Sequence, residues 1–159
     1  MFDAIDIEIL TILQQNARTP NAEIARRIGM APSAVLERIR KLEDRGVILG
    51  YEARIDPRAI GVGLTAFVFV RASERAGATD TAKRLVRLAE VQEVHHVAGE
   101  DCLLAKVRVA DTAALGTLLN ERIGAIKTVA STRTTVVLGT LKESARLPLP
   151  VAPADGSRG

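Results

Sequence analysis

Residues 24–42 read IARRIGMAPSAVLERIRKL, and their spacing decides the fold of the first third of the chain. Two helical stretches meet at Gly29-Met30-Ala31. Glycine tolerates the left-handed conformation that ends a helix tightly. Pro32 opens the next helix where a missing amide hydrogen costs nothing. Ala25 is small where the second helix must approach the first, and Val35, Ile39 and Leu42 recur at helical spacing, locking the second helix onto a core. This is the pattern of a helix-turn-helix. Its charge is lopsided: Arg26, Arg27, Arg38, Arg40 and Lys41 stand against the single acid Glu37. On the outward face of the second helix that charge would meet phosphates and base edges.

Upstream, Ile5, Ile9, Leu10, Ile12 and Leu13 mark one face of a helix from Asp3 to Asn16, with Asp3 as its N-cap. Thr19-Pro20-Asn21 is a turn, and Asn21 is placed to cap a short helix, Ala22 to Ile28. The helix opened by Pro32 runs to Arg45 and stops at Gly46. The period then switches from 3.6 to 2: Val47, Leu49, Tyr51, Ala53 and Ile55 alternate with Ile48, Gly50, Glu52 and Arg54. That alternation predicts a small β-ribbon, the wing of a winged helix-turn-helix. Asp56-Pro57, Gly61 and Gly63 mark a boundary, so a DNA-binding domain with its wing and linker is expected over residues 1–60.

Residues 61–142 read differently. Strands are expected at Leu64 to Arg71, Val91 to Ala98, Cys102 to Val109 and Lys127 to Leu138, with helices at Thr79 to Ala89 and after Asp111. The order βαββαβ predicts a ferredoxin-like domain, both helices on one face of an antiparallel sheet, and the chain as a whole is α+β. The first strand is apolar on both faces, so the uncovered sheet face needs a second chain against it; a homodimer follows. The proline-rich segment 143–159 is expected to be a disordered tail.

Composition narrows the functions. The 159 residues are 47% apolar and 26% charged, enough for packed cores. Aromatics are only 3%, which argues against a single-strand binder that stacks bases on aromatic faces. The lone Cys102 makes neither an internal disulfide nor a cysteine-based zinc site. His95 and His96 are adjacent on a strand and point to opposite faces, so they cannot chelate one metal together. Gly61-Val62-Gly63 precedes a strand, which makes it a linker rather than a phosphate loop. No nucleophile elbow is present, and an RNA-recognition domain would need aromatics on the third strand, which has none. No catalytic residue, metal or cofactor is expected, and the chain reads as no enzyme. The start carries Asp3, Asp6 and Glu8, the wrong charge for a signal peptide, and no apolar run reaches membrane-helix length. The expectation is a cytoplasmic protein, off the membrane, with a reduced thiol.

On the reading helix, Ser33, Ala34 and Glu37 suit base contact, and Arg38, Arg40 and Lys41 suit phosphates, with Arg38 able alternatively to read guanine. At this point the residues resemble the Lrp/AsnC regulators, the leucine-responsive and asparagine-operon (feast/famine) family. The resemblance runs from Asp3 to about Lys142. It is carried by Asp3 and Asp6, Ile9-Leu10, Asn16-Ala17-Arg18, Ala25, Gly29, Ser33, Val35, Arg38-Ile39, Leu42, Gly46-Val47-Ile48, Gly50-Tyr51 and Asp56-Pro57. Ala31 departs from the family's usual capping serine, a loss of about 1 kcal/mol at the helix start.

The resemblance implies transcription regulation through double-stranded DNA and a ligand-sensing domain that dimerises through its sheet. It also implies assembly to tetramers or octamers and a small effector, mostly an amino acid. The family's effector signature falls on Gly99-Glu100-Asp101-Cys102, where Cys102 replaces the usual aspartate, and on Thr132 and Thr134 of the last strand. Two other readings remain open. One is an effector-independent architectural DNA-binding protein. The other is a tetrapyrrole decarboxylase of related fold, in which histidines act; the basic helix-turn-helix and a count of only two histidines disfavour it.

Overall fold

A computed structural model describes residues 2–75, 77–99 and 101–150. Two compact units account for them, one formed by the described residues up to 53 with those from 142 to 150, the other by those between 54 and 141.

The first unit holds helices α1 (Ala4–Gln15), α2 (Asn21–Ile28) and α3 (Pro32–Asp44). Asp3 caps α1 as its sequence suggests, and the cap is reciprocal: Asp3 Oδ1 accepts the Asp6 N–H while the Asp6 carboxylate accepts the Asp3 N–H. α2 begins one residue earlier than its asparagine predicts, with Pro20 at the N-cap. Gly29 follows it at φ 69°, the left-handed turn that lets α3 fold back. The core is Ile9, Ile24, Ala25, Val35, Ile39 and Leu42, all buried.

The expected wing is not formed among the described residues. Among the described residues, 47–56 have no strand partner; Leu49 is 93% exposed and Ile55 65%. A ribbon needs a returning strand across a tight turn, and this segment runs on instead into the second unit from residue 54 and to the turn at 57–61. The Tyr51 hydroxyl tethers it to α3, donating to Glu43 at 2.9 Å. Burial, reinforced by that carboxylate, pushes the phenol up to about 12. The tail segment expected to be disordered lies outside the described residues from 151 on. Before that, Leu147 exchanges two backbone hydrogen bonds with the Gln14 amide (2.7 and 3.2 Å).

The second unit holds β1 (Leu64–Ala72), α4 (Asp80–Leu85), β2 (Val91–His96), β3 (Leu103–Val109), α5 (Thr112–Thr117), which continues as a π-helical turn over Leu118–Ile123, and β4 (Val129–Val136). The sheet is antiparallel in the order β2-β3-β1-β4, the ferredoxin-like arrangement. α4 stops four residues short of the expected span, because 86–90 turn the chain into β2, with Leu88 packed on the core. Ala66, Val68 and Val70 of β1 and Leu103, Ala105 and Val107 of β3 face Leu85, Leu115, Leu118 and Ile123 in one core. The other face carries Phe67 and Phe69, paired across to Lys106 and Leu104 and to Thr135 and Arg133. His95 pairs with Leu104 and His96 with Leu103, so the two histidines lie on opposite faces as their adjacency requires.

The turn after the π-helical segment needs a glycine. Gly124 donates its N–H to Leu119 O at 2.8 Å, and a Cβ there would stand 2.8 Å from Asn120 O and 3.0 Å from Leu119 O. Alanine in a helical backbone ordinarily gains up to about 1 kcal/mol over glycine; overpacking costs about 1–3 kcal/mol. Gly124→Ala is therefore expected to lower stability in a urea melt by about 1–2 kcal/mol, where a propensity effect alone would raise it.

Candidate functional site

α3 is divided lengthwise. Val35, Ile39 and Leu42 lie in the core, while Ser33, Leu36, Glu37, Arg40 and Lys41 are exposed. Ala31 offers no side-chain cap and Pro32 supplies no N–H, so the first turn of α3 ends without a side-chain acceptor. Lys41 Nζ lies 2.7 Å from Glu37 Oε1, one helical turn away, and its charge holds the Glu37 carboxyl below the usual range. On α2, Glu23 takes both Arg26 and Arg27 at 2.8 Å, so two of the five basic residues in the motif are spent within their own helix. Arg40 is exposed and stands outward on the helix as a cation.

The predicted DNA-contacting residues are thus not all on one side. Ser33, Glu37, Arg40 and Lys41 share the exposed side. Ala34 and Arg38 are half-buried and turned toward α1, where they line a recess of about 260 Å³ with Asp6, Glu37, Lys41, Leu42 and Arg45. Arg38 Nη1 lies 2.7 Å from Asp3 Oδ2 and 2.8 Å from Asp6 Oδ1. Leu36, 37% exposed among the polar outward residues, is the residue the sequence reading missed. Its position one residue past the buried Val35 is the signal that places it outward, and a leucine there suits the methyl group of thymine.

At the far unit, Gly99 has φ +144°, a conformation that favours glycine, and sits in the 97–102 turn closed by the Val97 N–H donating to Cys102 O at 3.0 Å. Glu100 lies outside the described residues. Asp101 Oδ2 is 2.9 Å from Arg133 Nη2, and the Arg133 guanidinium stands 4.1 Å over the Phe69 ring. Cys102 Sγ is 3.7 Å from Val70 O and half-buried. Thr132 and Thr134 oppose Val70 and Val68, both core residues, so their hydroxyls lie on the helix-covered side of the edge strand. The fold therefore brings Asp101 to Arg133 on the open face and sets Thr132 and Thr134 on the other. Arg133, one residue from each threonine, follows from strand alternation and was not singled out in the sequence.

Comparisons with known proteins fit both units. The AsnC-type helix-turn-helix domain matches residues 2–43, and the Lrp/AsnC ligand binding domain matches residues 65–147. The leucine-responsive regulatory protein of Escherichia coli K12 is 39% identical over 149 residues, 91% of this chain and 90% of that protein. The solved structure of E. coli AsnC superposes with a TM-score of 0.87 at 28% identity, covering 93% of this chain and 99% of that one. A feast or famine regulatory protein from M. tuberculosis, complexed with L-methionine, superposes with a TM-score of 0.87 at 39% identity over 94% of this chain and 100% of that one. A transcriptional regulator from Neisseria meningitidis, also in complex with L-Met, gives 0.87 at 29% identity over 93% and 97%. These relatives are transcriptional regulators and not enzymes, which sets aside the decarboxylase reading. From its helix-turn-helix to the end of its four-stranded sheet, the chain belongs to the Lrp/AsnC family of transcriptional regulators.

Proposed function

We propose that this regulator reads inverted half-sites of duplex DNA as a homodimer, with α3 in the major groove, and that an amino acid bound at the 99–102 turn modulates it. The observation that carries the DNA reading is the division of α3: a buried apolar stripe holds the helix, and Ser33, Leu36, Glu37, Arg40 and Lys41 remain outward. Ser33, Leu36 and Glu37 are assigned to base edges, and Arg40 and Lys41 to phosphates. A two-fold pair of such helices imposes its symmetry on the operator. A partner on DNA also puts the protein in the cytoplasm.

Two surfaces support the dimer. Phe67, Phe69 and Leu104 form an apolar centre on the open sheet face, and Leu49 and Ile55 stand exposed on an extended segment without a strand partner. A second copy of the chain would cover both. Assembly from dimers to a tetramer or octamer is supported by the family resemblance.

The effector reading draws on the two relatives solved with L-methionine and on the turn itself. Gly99 lets the turn bend, and Asp101 offers a carboxylate to an amino-acid ammonium, for which Arg133 is the present substitute. Cys102 supplies no charge. Thr132 and Thr134 border the same end of the sheet from its helix-covered side, and mutation separates the two sides.

Four outcomes are expected. Affinity for duplex DNA should fall steeply with salt, with Arg40→Ala lowering the log–log slope by about 0.9, the value for one phosphate contact. A flat salt dependence, or equal affinity for single strands, contradicts the DNA reading. Phe69→Asp should convert the dimer to a monomer in light scattering, because pairing would bury an unpaired charge; an unchanged dimer removes the open face from the interface. L-methionine, as the first of the twenty amino acids in a thermal-shift screen, should raise the melting temperature. Asp101→Asn should weaken the bound amino acid by about 1.5–3 kcal/mol, with Cys102→Ser nearly neutral. If no amino acid shifts the melt, the chain is an effector-independent architectural binder.

A further inference from the structure

We propose that Arg38 is a positioning residue for DNA recognition: its guanidinium clamps the middle of α3 to the capping box at the start of α1, and it does not touch DNA. The inference rests on the reading of α3 as the DNA-reading helix and assigns a role within it.

The four oxygens of Asp3 and Asp6 are all engaged. Asp3 Oδ1 accepts the Asp6 N–H at 2.8 Å, and Asp6 Oδ2 faces the Asp3 N–H at 3.4 Å. The two remaining oxygens, Asp3 Oδ2 and Asp6 Oδ1, both accept from Arg38 Nη1 at 2.7 and 2.8 Å. One set of oxygens caps α1 and the other holds α3, so the two helices are joined through a single closed network. The Asp6 side chain is only 12% exposed and that of Arg38 29%. A carboxylate at that depth needs its cation: removing Arg38 leaves Asp6 uncompensated, whereas Arg38 loses its compensation only when both carboxylates are removed.

The network does something the apolar core cannot. Packing at Val35, Ile39 and Leu42 fixes how closely α3 approaches its neighbours, but apolar contacts are non-directional. A charge-assisted hydrogen-bonded pair of fixed geometry sets the rotation of the helix about its own axis. That rotation decides whether Ser33, Leu36 and Glu37 meet base edges, and recognition groups must be held to about 0.5 Å and 10–20°. A DNA contact by Arg38 would require it to leave two carboxylates that lie together, exposing phosphates to both.

The test uses the full chain and a duplex selected from a random pool on the wild-type protein, with anisotropy read below each variant's melting temperature. Arg38→Gln and the paired variant Asp3→Asn/Asp6→Asn, which removes both carboxylates while keeping an acceptor oxygen for each cap, are each expected to weaken binding about 10- to 100-fold with an unchanged salt slope. Discrimination between the selected and a scrambled duplex should shrink in both. Combining all three substitutions should bind no worse than the weaker of these two, because both break the same clamp. A phosphate-contacting Arg38 makes the opposite forecast: Asp3→Asn/Asp6→Asn would free the guanidinium and tighten binding, and Arg38→Gln would flatten the slope by about 0.9. Either of those results, or wild-type affinity and discrimination in both variants, overturns the proposal. Should Arg38→Gln not fold, Asp3→Asn/Asp6→Asn alone still decides, since the two readings give it opposite signs. Arg40→Ala is the control: if it leaves affinity and slope untouched, the reading of α3 fails, whereas a normal Arg40 effect with a flattened Arg38→Gln slope fails the clamp alone.

Discussion

Burial of one stripe of α3 is the constraint on which the DNA-binding unit depends. Val35, Ile39 and Leu42 pack against Ile9, Ile24 and Ala25 with almost no solvent contact, each such side chain contributing about 1.5–3 kcal/mol. Everything else about the helix follows from that choice of side. Residues away from the stripe are outward, where Ser33, Leu36, Glu37 and Arg40 stand, while Ala34 and Arg38 on its flank are turned toward α1. Gly29 makes the choice possible, since its left-handed turn is what brings α3 back across α2. The clamp at Arg38 then trims a rotation that hydrophobic packing leaves soft.

The second unit solves a different problem with the period of two. Alternate residues of β1 and β3 point to the helices and complete a core, and the intervening residues form a face of mixed character. Two phenylalanines and Leu104 lie at its centre, with Glu93, His95, Lys106 and Arg133 around them. The charges there are already partnered within the chain: Lys106 reaches Glu93 at 3.1 Å, His95 reaches it at 3.2 Å, and Arg133 covers Phe69 while holding Asp101. His95 first and Lys106 next hold the Glu93 carboxyl below its usual range. A face of this kind suits pairing with a second copy better than a wholly apolar one, because the partnered rim keeps a lone chain soluble while its aromatic centre favours association.

Much of this was legible in the sequence, and the exceptions have physical reasons. Helix starts and stops came from Asp3, Gly29 and Pro32, whose effects are local, and the order of strands came from alternation. The wing was not legible as absent: Val47 to Ile55 alternate as a strand does, but a strand needs a partner, and none stands beside it among the described residues. α4 is short because β2 must start at Val91, a tertiary demand that helical periodicity does not record. In the sequence Arg38 reads as a DNA contact because it is a cation on a reading helix; the fold pairs it with Asp3 and Asp6. Its place three residues after Val35 and four before Leu42 puts it beside the buried stripe, and two acids at the start of α1 complete the signal. Likewise Arg133 was passed over for its neighbours Thr132 and Thr134, although alternation alone puts it on the other face of the sheet.

The outward side of α3 can be tested without knowledge of the operator. The chain has one cysteine, Cys102, so a Cys102→Ser background carrying Ser33→Cys, Glu37→Cys or Glu121→Cys accepts a photoreactive group at a single site. Irradiation on duplex DNA is expected to give cross-links to bases from positions 33 and 37 and none from position 121 on the sensing unit. Cross-links from 121, or none from 33 and 37 while the protein stays bound, would contradict the assignment of α3 to the groove.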